Sequence, residues 1–157
     1  MKILIIYASK YGCTADCATS LKDKLSGDTK LIDIKKNEQQ IELENFDTII
    51  IGGSIYAGQL SKKLRTFCKD NINTLRKKRV GIFLCCAQTD QTDKLFTANF
   101  PAELLDHAKA MKVFGSEARL EKMKFLDKTI LKAVAKGDFS SFKISHENID
   151  KFAEIFN

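Results

Sequence analysis

Five short apolar runs punctuate the chain, at residues 3–7, 30–34, 48–51, 80–85 and 111–114, and stretches with helical spacing separate them. The first, third and fourth runs are continuously apolar, the pattern of strands covered on both faces. Residues 14–25, 60–75, 102–109 and 145–156 carry the spacing and composition of helices. Ser145 is placed to cap the last of them ahead of Asn148, and Pro101, the single proline, stands at a helix start. Between residues 35 and 46 there is room for only one or two helical turns, around 39–43. A further apolar stripe, Leu120, Met123, Leu126, Ile130 and Val134, predicts an extra helix between the fifth strand and the last helix. Strands alternating with helices imply a parallel sheet with helices on both sides. No linker or repeat interrupts residues 1–157, so one doubly wound α/β domain is expected.

Composition narrows this little. Of the 157 residues, 44% are hydrophobic and 29% charged, which suits a globular protein and not a disordered one. No apolar run reaches the roughly 18 residues of a membrane span, and the N-terminal run is too short for a signal peptide. Five cysteines, an odd number without a CxxC pair, argue against a disulfide framework and predict reduced thiols in the cytoplasm. The net charge of +6 favours an anionic ligand or surface. Nucleic acid is not expected, because no aromatic-rich basic sheet or DNA-binding motif accompanies the charge.

In doubly wound sheets ligands bind beyond the strand C-termini where the winding reverses. With five strands the common orders place that crevice between the first and third. Two loops meet there. The first, Ser9-Lys10-Tyr11-Gly12-Cys13-Thr14, joins a strand to a helix N-terminus, whose free backbone N–H groups attract an anion. Gly12 lets the backbone approach a ligand, and Ser9 and Thr14 offer hydroxyls; Thr14 could equally serve only as a helix cap. These features suit a phosphate. The P-loop and dinucleotide fingerprints are absent. No arginine precedes Arg65, which excludes a cysteine-phosphatase loop, and Gly52-Gly53 stands where a receiver domain needs an aspartate. The second loop, "GGSIYAG" from Gly52 to Gly58, sets three glycines around one polar tip. These glycines suit tight turns or close approach to a ligand, and Tyr56 either stacks on that ligand or covers the sheet edge.

The Ser-x-x-Gly-x-Thr pattern and the "GGSIYAG" turn together resemble the flavodoxins. The resemblance runs nearly the whole length and implies a three-layer sandwich with a five-stranded parallel sheet of order 2-1-3-4-5. It implies FMN as cofactor, with the phosphate held by Ser9, Lys10, Tyr11, Gly12, Cys13 and Thr14. Ser54, Ile55, Tyr56, Ala57 and Gly58 would flank the isoalloxazine, Tyr56 stacking and the backbone near Ala57 facing flavin N5. Cys86, Ala87, Gln88 and Thr89 would cover the other side or edge of the ring. The segments "IIIGGSIYAGQ" and "GSEARLEKMKFLDKTILKAVAKGD" resemble more closely the flavodoxin-domain branch that contains menaquinone-dependent protoporphyrinogen IX dehydrogenases. Two departures stand out: Gln88 occupies the region where carrier flavodoxins place an aromatic, and residues 86–101 are short for the long loop of the best-known dehydrogenases.

Three functions follow from the resemblance: an oxidoreductase acting on a porphyrinogen-like substrate or quinone, an electron carrier between redox partner proteins, or a fold-retaining module that binds FMN weakly. Carrier flavodoxins are typically acidic, so +6 leans against the second, and the late basic helix leans toward the first. No nucleophile or acid–base dyad marks a catalytic side chain, and the flavin would perform the redox step. Cys13 and Cys17 share a helix face, but the two histidines, His107 and His146, lie far along the chain, so no metal site is expected. Cys68, Cys85 and Cys86 read as core residues. Lys124, Lys128, Lys132 and Lys136 recur every four residues on the extra helix. They form either a solvated row or a patch, within residues 120–136, for an anionic membrane at the inner face or a porphyrin carboxylate.

Overall fold

The computed structural model describes residues 1–87, 90–140 and 142–157. Its centre is a parallel sheet of β1 (Lys2–Ala8), β2 (Asp28–Asp33), β3 (Thr48–Ser54), β4 (Arg79–Cys85) and β5 (Ala110–Val113), in the expected order β2-β1-β3-β4-β5. Alternation along each strand splits the interior into two cores. Leu4, Ile6, Ile49, Ile51, Val80, Ile82 and Leu84 face one layer, formed by α2 (Lys62–Asp70), α3 (Ile72–Leu75), α4 (Thr92–Asn99) and α5 (Ala102–His107). Ile3, Ile5, Ile50, Phe83 and Cys85 face the other, formed by α1 (Cys13–Lys24) and α7 (His146–Phe156). Ser145 caps α7 as expected, its Oγ accepting from the Asn148 N–H at 3.2 Å.

Three elements differ from the pattern-based reading. The helix expected over 60–75 is two helices, broken at Asn71, whose side-chain amide donates to the Phe67 carbonyl. The turn expected at 39–43 falls at Leu43–Asn45, where Leu43 is the buried anchor. The helix α4 was not anticipated. It ends at Asn99, a buried amide whose oxygen accepts from the Leu60 N–H at 2.7 Å and whose nitrogen donates to the Gly58 carbonyl at 3.0 Å. α4 thereby ties the loop after β3 to the helical layer.

The extra helix is present as α6 (Phe125–Ala135), after a single 3-10 turn at Leu120–Lys122. The excursion carrying it starts and returns at one point, because Gly115 bridges Ile144 in antiparallel fashion and the Ser145 N–H donates to the Phe114 carbonyl at 2.8 Å. No helix among the described residues is long and apolar enough to cross a membrane.

Gly52 and Gly53 lie within β3 and make no turn. A Cβ on Gly52 would stand 2.0 Å from the Phe83 ring, and one on Gly53 2.2 Å from Leu60. Phe83 in turn stacks on Phe114 at 4.5 Å and meets Phe152 edge-on. Gly52 therefore makes room for an aromatic cluster. Gly52→Ala is expected to lower stability by about 1–3 kcal/mol through overpacking, read as a fall in the urea midpoint without a change in slope.

Candidate functional site

The parallel register sets Tyr7 beside Gly52 and Ala8 beside Gly53, so the loops after β1 and β3 leave the sheet side by side. The chain winds one way from β1 to β2 and the other way from β3 onward, which opens a crevice at these ends. A cavity of about 280 Å3 lies there. Tyr11 and Cys13 line it from the first loop, Ile55, Tyr56, Ala57 and Gly58 from the second, and Cys86 and Ala87 from the third. Ser9, Lys10 and Gly12 of the first loop, Thr14 in the first turn of α1, and Ser54 at the end of β3 are not among the residues that line it. Gln88 and Thr89 lie outside the described residues.

Gly12 is the N-cap of α1 in the left-handed region, φ 93°. Ser9 does the capping: its Oγ accepts from the N–H groups of Gly12 at 3.1 Å and Ala15 at 3.4 Å. Thr14, the alternative cap, does not act as one. Its side-chain oxygen is buried without a hydrogen-bond partner in the structure. An orphaned hydroxyl beside the open N–H groups of a first helical turn is what a phosphate site requires, so these residues fit a mononucleotide phosphate.

The excursion after β5 supplies residues that the sequence reading missed. Arg119 lies against the loop, its guanidinium donating to the Tyr11 carbonyl at 3.4 Å, to Asp16 at 2.6 Å and to Glu117 at 2.8 Å. One of its nitrogens comes within 2.8 Å of where a Gly12 Cβ would stand. These contacts, led by Asp16, hold its pKa above the usual arginine value and so keep it cationic. Asp127 of α6 pairs with the Lys10 ammonium and accepts from the Tyr11 hydroxyl, and the Lys124 N–H donates back to that hydroxyl at 3.1 Å. Lys10, then Tyr11, hold the Asp127 carboxyl below the usual carboxylate range.

Of the expected stripe, Met123, Ile130 and Val134 do face the cavity, and Leu126 does not. Asp127, Ile130, Leu131 and Val134 line the cavity, whereas Leu126 is 68% exposed. The stripe itself is broken, because Met123 and Lys124 separate the 3-10 turn from the helix. The Tyr56 ring meets the Tyr11 ring edge-on at 5.6 Å, with the Lys10 ammonium 4.8 Å from its centroid. Burial chiefly raises the Tyr56 pKa, so its phenol stays neutral. The turn beyond it is closed by a Tyr56–Gln59 bridge and uses positive φ at Ala57 (49°) and Gly58 (74°).

A doubly wound sheet with a phosphate-type loop at its switch point defines a class of nucleotide-binding fold. The flavodoxin-domain family matches residues 4–143, and the chain belongs to that family. Among solved structures, it is similar to a flavoprotein from Lactobacillus acidophilus NCFM in complex with FMN. The TM-score is 0.58 at 20% identity, over 71% of this chain and 92% of that one. It is also similar to oxidised flavodoxin 1 from Bacillus cereus, with a TM-score of 0.55 and 18% identity over 99% and 97% of the two chains. The flavodoxin of Streptococcus pneumoniae TIGR4 gives 0.57 and 18% over 99% and 97%. At these identities the likeness is one of fold. Among curated proteins none matches significantly.

Because the Asp127 pKa is depressed, its anchoring is present above the usual carboxylate range and is lost as pH falls through the lowered value. Asp127→Asn is therefore expected to speed amide exchange across residues 120–136 about fivefold at neutral pH, the scale of one partly exposed pair. Protection of the sheet should stay unchanged. The wild type should lose the same protection only in acid, and hydrogen-exchange mass spectrometry at both pH values checks both.

Proposed function

We propose that this protein is an FMN-dependent oxidoreductase that takes electrons from an organic, porphyrinogen-like substrate admitted beneath α6. The observation that carries the reading is the cavity at the switch point, bounded by the loop side chains on one side and by Ile130, Leu131 and Val134 of α6 on the other. An apolar wall facing the site suits a hydrophobic substrate. The Lactobacillus flavoprotein with FMN bound supports the cofactor by analogy of fold.

In this reading the N–H groups of the first loop and the Thr14 hydroxyl hold the phosphate, and Arg119 neutralises part of its charge. Tyr56, kept neutral by burial, offers a ring face. The Ala57–Gly58 turn presents backbone polar groups to the ring edge. FMN supplies one- and two-electron chemistry when bound. The α6 wall excludes water and orients the substrate, and no side chain is assigned as a proton donor or acceptor.

Absorbance titration of the FMN-free protein is expected to saturate at one FMN per chain. Gly12→Asp sets a carboxylate beside the phosphate, a repulsion of about 4 kcal/mol at 4 Å in a partly screened site, or about a thousandfold in affinity. Circular dichroism confirms that the variant is folded. Failure of the wild type to bind FMN would overturn the proposal. Turnover of a porphyrinogen by the loaded protein supports the oxidoreductase. Reversible reduction without such turnover selects an electron carrier between redox partner proteins instead.

A second feature favours a location. The outer side of α6 exposes Phe125 (85%) and Leu126 (68%), and Lys124, Lys132 and Lys136 are exposed along the same segment. Aromatic and aliphatic side chains next to lysines suit peripheral docking on an anionic membrane, where a quinone acceptor would be dissolved. Reversing charge at Lys132 and Lys136 should abolish co-sedimentation with phosphatidylglycerol vesicles. Unchanged, salt-insensitive sedimentation would remove the membrane from the reading.

A further inference from the structure

Three of the five cysteines converge on one point. Cys13 and Cys17 lie one turn apart on the buried side of α1, and Cys85 ends β4 on the same face of the sheet. Their three sulfurs lie within 4.8 Å of one another. All three are free thiols and almost fully buried, at 8%, 1% and 2% exposure. The other two, Cys68 and Cys86, face the opposite core.

We propose that Cys13, Cys17 and Cys85 form a three-sulfur site for a soft, thiophilic metal ion, with Cu(I) as the ion the geometry fits. An ion bonded to three sulfurs at about 2.3 Å in a plane holds them about 4 Å apart. The sulfurs, already within 4.8 Å of one another, reach that spacing by sub-ångström movements. The donor set excludes hard cations, which take oxygen ligands. It also disfavours a structural zinc, which takes four ligands, since the group found among the described residues has three. Thiolates select Cu(I), zinc and iron–sulfur clusters, and of these zinc and the clusters take four protein ligands, which leaves Cu(I) for a three-sulfur group. Entry is provided, because Cys13 and Cys85 also line the cavity at the switch point. The site uses sulfur atoms, whereas the phosphate reading uses backbone N–H groups, so the two stand or fall separately.

The test is anaerobic titration of the reduced, FMN-free full chain with Cu(I) in competition with bathocuproine disulfonate. Copper X-ray absorption follows on the one-to-one complex. The expected result is one Cu(I) per chain with three sulfur neighbours, at least a hundredfold weaker binding in Cys17→Ser, and unchanged binding in Cys68→Ala. The sulfur count on the wild type keeps the test decisive even if Cys17→Ser fails to fold. Two or fewer sulfurs on copper, loss of binding in folded Cys68→Ala, or complete retention of copper by the chelator would overturn the site. FMN titration of the same preparation reports on the flavin reading independently.

Discussion

The structure depends on β1 being buried on both faces and paired on both edges. Ile3 to Ile6 have no exposed surface, and the strand is hydrogen-bonded to β2 on one side and β3 on the other. A strand that has no solvent face can be covered only by helices on both sides, and right-handed crossovers then carry the chain outward in opposite directions. The crevice between the loops after β1 and β3 is the geometric consequence. Everything proposed about ligand binding is located by that one reversal.

Above the crevice the chain accepts a compromise. An apolar roof could have been held by packing alone, yet α6 buries no residue fully and is anchored instead by a carboxylate. Asp127 sits on the inward face because Lys10 and Tyr11, both in the first loop, reach it there. The anchor is directional but weak, since an ion pair near the surface contributes only a fraction of what a buried aliphatic cluster does. The pinch at Gly115 and Ile144, by contrast, ties the ends of the excursion to the sheet. The roof is therefore held firmly at its base and lightly at its tip, an arrangement suited to admitting a ligand.

The glycines of the second loop serve two purposes. Gly58 adopts a positive φ in a closed turn that borders the cavity. Gly52 and Gly53 instead lie in the strand and leave space for Phe83 and Leu60. The cluster of Phe83, Phe114 and Phe152 then packs α7 against the end of the sheet. One short glycine-rich stretch thus shapes both the cavity and the core behind it.

The sequence by itself determined the five strands, the layer of helices on each side and the loop from Ser9 to Thr14. Continuous apolar runs, 3.6-residue periodicity and helix-start chemistry are local signals, written within a few residues of the element they create. Strand order and the FMN expectation came from resemblance to flavodoxins rather than from the pattern itself. Asn71, Asn99 and the helix at Thr92–Asn99 escaped, since polar residues that break or tie helices carry no periodic mark. Only the tertiary structure set Arg119 over Gly12, turned Asp127 inward and brought Cys85 to Cys13 and Cys17. These partners are separated by about 70 to 120 residues. Their meeting depends on the sheet register and on the path of an excursion held by a few polar contacts, which no local pattern encodes.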